Sequence, residues 1–183
     1  MTPLRIALVL MSAAFLSASS AMAQQNRPSP PGMAGAAVDG NRVTVYYSRP
    51  FSKDSKSGEM RKIWGGLVPY GSVWRFGANE AALLVTQQPI EIGGTTVPAG
   101  AYSLFMLPTE KEGSKLIINK QIGQHGTQYD EKQDLVRVDM KQEAAEKPVD
   151  QFTVTVARNP EGGGVLKVLW EQTQFSVPFT VKK

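Results

Sequence analysis

The chain has no cysteine and a single histidine among its 183 residues. The first absence excludes a disulfide framework, a thiolate metal site and the lipidated cysteine of a bacterial lipoprotein. The second leaves any metal dependent on carboxylates, because zinc and iron sites draw on several imidazoles or thiolates. No EF-hand spacing offers a calcium loop, and the acidic group Asp130, Glu131 and Asp134 beside Tyr129 reads as a solvated turn rather than a weak calcium site. No metal and no cofactor is therefore expected. A Gly-x-Ser-x-Gly elbow is also missing, and His125, between Gly123-Gln124 and Gly126, has no Ser and Asp partner at a recognised spacing and reads as loop. Heptads and internal repeats are absent too, which sets aside coiled coils and solenoids.

What is present begins at the N-terminus. Arg5 precedes an apolar run from Ile6 to Leu16, and Ala21-Met22-Ala23 places small residues where a signal peptidase inspects the chain. Residues 1–23 are thus expected to be a signal peptide cleaved after Ala23. The run falls short of the about 20 apolar residues a bilayer span needs, and no run of that length follows it. The mature product is expected in the periplasm or outside the cell, with no transmembrane segment. Residues 24–41 turn to Pro, Gly, Ala and Ser, and read as a flexible leader. One domain is expected over residues 42–183.

In that domain short runs alternate apolar and polar residues. Val43, Val45 and Tyr47 interleave with Arg42, Thr44, Tyr46 and Ser48; Phe152, Val154 and Val156 interleave with Thr153 and Thr155. Gly93-Gly94 joins two such runs as a tight hairpin. Ala101 to Leu107, Lys115 to Asn119, Leu135 to Met140, Val165 to Glu171 and Thr173 to Val181 continue the series, and Pro178 places the last strand at a sheet edge or a bulge. About nine strands with minimal helix predict an all-β fold, an antiparallel β-sandwich or alternatively a partly open β-barrel. The helix-like exceptions are Met60 to Trp64 and Gln142 to Glu146.

One stretch follows neither period. Residues 66–81 crowd Tyr70, Trp74, Arg75, Asn79 and Glu80 among glycines. They admit two readings. Either Trp74 buries its area, Arg75 pairs with Glu80 and the glycines allow sharp turns, or Tyr70 and Trp74 form a platform while Arg75, Asn79 and Glu80 supply directional hydrogen bonds to a ligand. These five are the candidate ligand-binding residues. Tyr102, at a strand start, is expected to tie down a neighbouring loop through its hydroxyl.

The formal charge of +4 is matched by residues 42–62 alone, where Arg42, Arg49, Lys53, Lys56, Arg61 and Lys62 face only Asp54 and Glu59. The excess is either a solvated basic loop or the footprint of an anionic partner: a cell-wall polymer, an acidic polysaccharide, a peptide or a lipid head group. Export argues against nucleic acid.

The order of motifs carries a resemblance. Tyr47-Ser48-Arg49-Pro50, Arg61-Lys62-Ile63-Trp64-Gly65-Gly66-Leu67-Val68-Pro69-Tyr70-Gly71, Val73-Trp74-Arg75-Phe76-Gly77-Ala78-Asn79-Glu80-Ala81, Pro98 to Phe105 and Tyr129-Asp130 resemble the exported bacterial family known as domain of unknown function 2911, from about Val43 onward. The resemblance implies export and a single domain, and carries over no catalytic or ligand residue. The stretch Phe51 to Met60 departs from it in being longer and richer in lysine.

The function expected is that of an exported, non-catalytic ligand-binding or envelope-associated module. The alternative is a hydrolase acting on a glycan or envelope polymer, with Glu80 as acid or base. That chemistry needs a second carboxylate about 5 to 10 Å away, for which Glu91, Asp130 and Glu171 are candidates.

Overall fold

The computed structural model describes residues 28–111 and 113–182, so the export signal read in residues 1–23 lies outside the described residues. Ten strands follow one another: β1 Pro31–Val38, β2 Asn41–Ser48, β3 Ala82–Thr86, β4 Ile90–Ile92, β5 Thr95–Val97, β6 Gly100–Leu107, β7 Lys115–Asn119, β8 Asp134–Asp139, β9 Lys141–Arg158 and β10 Gly164–Val181. Among the described residues the only helical element is a 3-10 turn at Glu131–Gln133. The strands form a six-stranded sheet ordered β1-β2-β3-β6-β7-β8 and a four-stranded sheet ordered β5-β4-β10-β9, antiparallel at every pairing. This is the expected all-β, two-sheet sandwich.

The alternating residues point where the pattern placed them. Val43, Val45, Leu84, Leu104, Met106, Leu116 and Ile118 from one sheet meet Phe152, Val154, Leu166, Val168 and Trp170 from the other in one buried cluster. Each such side chain contributes about 1.5–3 kcal/mol when fully buried. Gly93 and Gly94, both at positive φ (56° and 75°), make the two-residue turn of the β4–β5 hairpin.

Four sequence expectations are corrected. The segment read as leader contains β1, paired with β2 from Pro31↔Ser48 to Val38↔Asn41. Its Gly and Ala residues have little apolar bulk, which hid the strand, but the ladder needs only backbone, and Ala34 and Ala36 pack on the core. Residues Gln142 to Glu146 are extended, because pairing of Gln142 with Phe175 and Ala144 with Thr173 overrides local helix preference. Met60 and Trp64 take part in isolated bridges, to Lys53 and Val68, instead of a helical turn. The two runs around Gln172 are one strand, bent at Glu171 (φ 52°) where the register with β9 shifts; Pro148 falls in the same irregularity, where no ladder bond is lost. A fifth expectation, that Pro178 marks a sheet edge or a bulge, also changes: β10 lies between β4 and β9 with no register shift at Pro178, which falls between the last pair with β9, at Ser176, and the first with β4, at Phe179, so its missing N–H interrupts neither ladder.

One side of the sandwich is laced together by the chain leaving β2. Phe152 N donates to Pro50 O at 2.9 Å and Ser52 N to Asp150 O at 2.7 Å. Arg49 reaches the same strand, its Nη2 donating to Thr153 Oγ1 at 3.1 Å. This crossing delivers residues 51–61 to the end of the sandwich where the Trp74 segment also lies.

Candidate functional site

Trp74 continues the sheet beside β6: its N donates to Met106 O at 2.7 Å and its O accepts from Met106 N at 2.8 Å. Between it and β3 the chain makes an excursion, with Phe76 and Asn79 at positive φ (54° and 61°) and Gly77 at 147°. A side chain on Gly77 would place Cβ 2.7 Å from the Ser48 carbonyl oxygen, so the corner closes onto the end of β2 only with glycine there. Asn79 pins it from both sides. Its Nδ2 donates to Ser48 Oγ at 3.1 Å, and its carbonyl accepts from Gly126 N at 3.0 Å and from Arg75 Nη1 at 3.3 Å.

The Trp74 indole belongs to an aromatic cluster. It stacks on Trp170 and meets Trp64 and Phe152 edge to face, with centroids 6.1 and 5.1 Å away. Its ring is thus largely engaged by other rings, which favours anchoring over a free stacking face. Tyr70, at 36 % exposure, folds over Gly65, where an added Cβ would come within 2.7 Å of its ring.

Above the cluster opens a groove of about 400 Å³. Trp74, Arg75 and Asn79 line it together with Phe51, Lys53, Asp54, Arg61 and Leu67, and the buried Trp170 also contributes to its lining. Three of the five expected residues therefore share a site. Glu80 lines a separate groove with Tyr46, Leu83 and Gly123, and Tyr70 lines neither.

The groove is cationic for a definite reason. Arg61 donates from Nε to Ser52 O at 3.4 Å and from Nη2 to Phe51 O, and Arg75 donates to a carbonyl as well. Carbonyls orient the two guanidinium groups and leave their full charge in place. Asp54 shares the groove with Lys53, Arg61 and Arg75, and its carboxylate is occupied by Lys56 N at 2.9 Å and Ser57 N at 3.1 Å. Those bonds, Ser57 first and then Lys56, with the Arg61 charge behind them, hold its carboxyl below the usual range.

The remaining candidates serve the scaffold. Asp134 accepts from Tyr129 Oη at 2.6 Å, Arg137 Nε at 2.8 Å and Asn119 Nδ2 at 2.9 Å, and Asp130 caps the 3-10 turn through Lys132 N. These bonds fasten the loop whose Tyr129 ring covers Phe105 on the outer sheet face, centroids 4.9 Å apart. Tyr102 Oη donates to Pro98 O at 3.0 Å, the loop tie expected of it. His125 is exposed, with Nδ1 2.8 Å from Thr127 Oγ1.

Of the acids considered as partners for Glu80, Glu91 forms an ion pair with Lys182 at 2.9 Å. Glu171 lines a further cavity with Asp150, Met60 and Val149. Burial, and then the Asp150 charge, pushes the Glu171 carboxyl up. Among the described residues no three His, Asp or Glu side chains gather as a metal would require.

Phe51, Lys53, Arg61 and Leu67 were not singled out as site residues from sequence, although Lys53 and Arg61 belong to the basic excess. The structure divides that excess. Arg49 is spent on β9, while Lys53 and Arg61 face the groove.

No curated protein and no solved structure matches the chain. The family described as protein of unknown function (DUF2911) matches residues 29–179, so the match takes in β1 and does not wait for about Val43 as the motifs alone indicated. The chain that builds this two-sheet sandwich and its cationic groove belongs to the DUF2911 family.

Proposed function

We propose that this protein is an exported, non-catalytic binding module of the cell envelope, periplasmic or extracellular, whose groove between Phe51–Leu67 and Trp74–Asn79 holds an anionic envelope component. The observation that carries the reading is the convergence of Lys53, Arg61 and Arg75 on one cavity against the single carboxylate of Asp54. Guanidinium groups fixed by carbonyls lose little freedom on meeting an anion, so their contribution to affinity is not spent on ordering. An acidic polysaccharide, a cell-wall polymer or an acidic peptide carries the required charge. Glu80, the residue a hydrolase would use, opens onto the other groove, whose lining residues include no second acid.

The test is retention on immobilised acidic and neutral envelope polymers. The wild type is retained by the acidic resin and released by salt, and Lys53→Gln with Arg61→Gln elutes earlier with the fold retained by circular dichroism. Turnover of a glycan that Glu80→Gln abolishes without unfolding the protein would replace this reading by the hydrolase.

A further inference from the structure

We propose that the anionic partner is the head-group layer of a lipid bilayer, on which the segment Phe51 to Tyr70 docks; this rests on the groove reading above and names its partner. Seven large apolar side chains stand exposed among the described residues, and four of them fall in these twenty positions: Phe51 at 37 %, Met60 at 61 %, Leu67 at 47 % and Tyr70 at 36 %. The same stretch holds Lys53, Lys56, Arg61 and Lys62 against Asp54 and Glu59. Exposed apolar groups concentrated in one segment mark an interaction surface.

The segment is folded into two successive tight loops. Asp54 N donates to Glu59 O at 2.8 Å and Arg61 N to Ser52 O at 3.0 Å, closing the first; Leu67 N donates to Lys62 O and Val68 N to Ile63 O, both at 2.9 Å, closing the second. Apolar side chains held at such loops are presented without further ordering. Phe51 and Leu67 line the groove together with Lys53 and Arg61, so oil-soluble and cationic groups share one surface.

That mixture discriminates between partners. A soluble polyanion engages the cations and gains nothing from Leu67 or Met60. An anionic bilayer engages both, taking the apolar tips into its interfacial region and the ammonium and guanidinium groups among its phosphates. No helix among the described residues is long and apolar enough to cross a membrane, and docking of this kind needs none.

The experiment is co-sedimentation of the exported protein, its mass checked so that the apolar run of residues 6–16 does not contribute. The vesicles are phosphatidylethanolamine with phosphatidylglycerol, and phosphatidylcholine alone. The wild type sediments with the anionic vesicles only, and salt weakens it. Leu67→Ser weakens binding about tenfold, and Lys53→Gln and Lys62→Gln about fivefold each, all with unchanged melting temperatures. Equal binding to phosphatidylcholine, or vesicle binding that Leu67→Ser leaves intact, overturns the inference. Binding to soluble polygalacturonate without vesicle binding also overturns it and leaves the groove reading standing; binding to neither sinks both.

Discussion

The Trp74 indole lies stacked on Trp170, with centroids 5.9 Å apart and planes 22° from parallel. Trp170 is 1 % exposed and Trp74 only half-buried, so the pair joins the core of the sandwich to the base of the groove. Truncating Trp74 to Ala removes contacts to four other rings and is expected to cost about 3–5 kcal/mol. Urea denaturation measures it. A cost below about 1 kcal/mol would place the indole outside the core and return it to the role of a free platform.

Gly77 and Gly71 separate two sources of strain. Both have positive φ, 147° and 74°, but a Cβ meets Ser48 O only at Gly77, and nothing lies within 4 Å at Gly71. Gly71→Ala is expected to cost about 1 kcal/mol from conformation alone, and Gly77→Ala clearly more, with loosening of Arg75 and Asn79. Equal losses of stability in the two variants would show that the corner does not press on β2.

Asn41 is wholly buried and makes four bonds. Its Nδ2 donates to Thr86 Oγ1 and Gln88 O, and its Oδ1 accepts from Gln87 N and Gln88 N. Asn41→Ala takes the acceptor from Gln88 N, while Gln87 N keeps Arg42 O and Thr86 Oγ1 keeps Gln88 O, and is expected to destabilise by about 1–3 kcal/mol. Differential scanning calorimetry should show a lower melting temperature with the fold retained.

Tyr129 gives a pH signature. Burial, then the hydrogen bond and charge of Asp134, push its hydroxyl up to about 12 from its ordinary value of 10.0. The folded state thus holds this proton more tightly than the unfolded chain. The resulting stability is present in full below pH 10 and is lost as pH rises through about 12. Tyr129→Phe should flatten this part of the stability profile. A variant as steep as the wild type there would assign the slope to other groups.

Glu171 has the same sign in a lower pH window, so its contribution is already lost at neutral pH. Its raised carboxyl pKa means that the folded state favours the protonated form, so the contribution is favourable at acid pH and is lost as pH rises past the unfolded value. Glu171→Gln should therefore raise the melting temperature at pH 7 and leave it nearly unchanged at pH 3. A gain that is the same at both values would point to the positive φ of 52° or to packing instead.

How much of this could be read from residues follows from where the signal resides. Strands that alternate against a core, such as Val43-Val45-Tyr47 and Phe152-Val154-Val156, are encoded locally and were legible. Strand β1 was not, because its order comes from a ladder with β2 that glycine and alanine form without leaving a pattern. The straightness of Gln142 to Glu146 is likewise imposed by β10. For the site, Trp74, Arg75 and Asn79 stood out by composition, but Phe51 and Leu67 reach the same groove through a crossing to β9 and a turn at Lys62, contacts between distant parts of the chain. Glu80 follows Asn79 directly, yet beyond the positive φ of Asn79 it lines a separate groove.

The most direct test of the central claim is a map of amide chemical-shift changes as a short-chain, soluble phosphatidylglycerol is added below its micelle concentration. The account predicts shifts gathered at Phe51, Lys53, Arg61, Leu67 and Trp74 to Asn79, and their loss in Lys53→Gln with Arg61→Gln. Shifts centred on Tyr46, Glu80 and Leu83, or none at all, would contradict it.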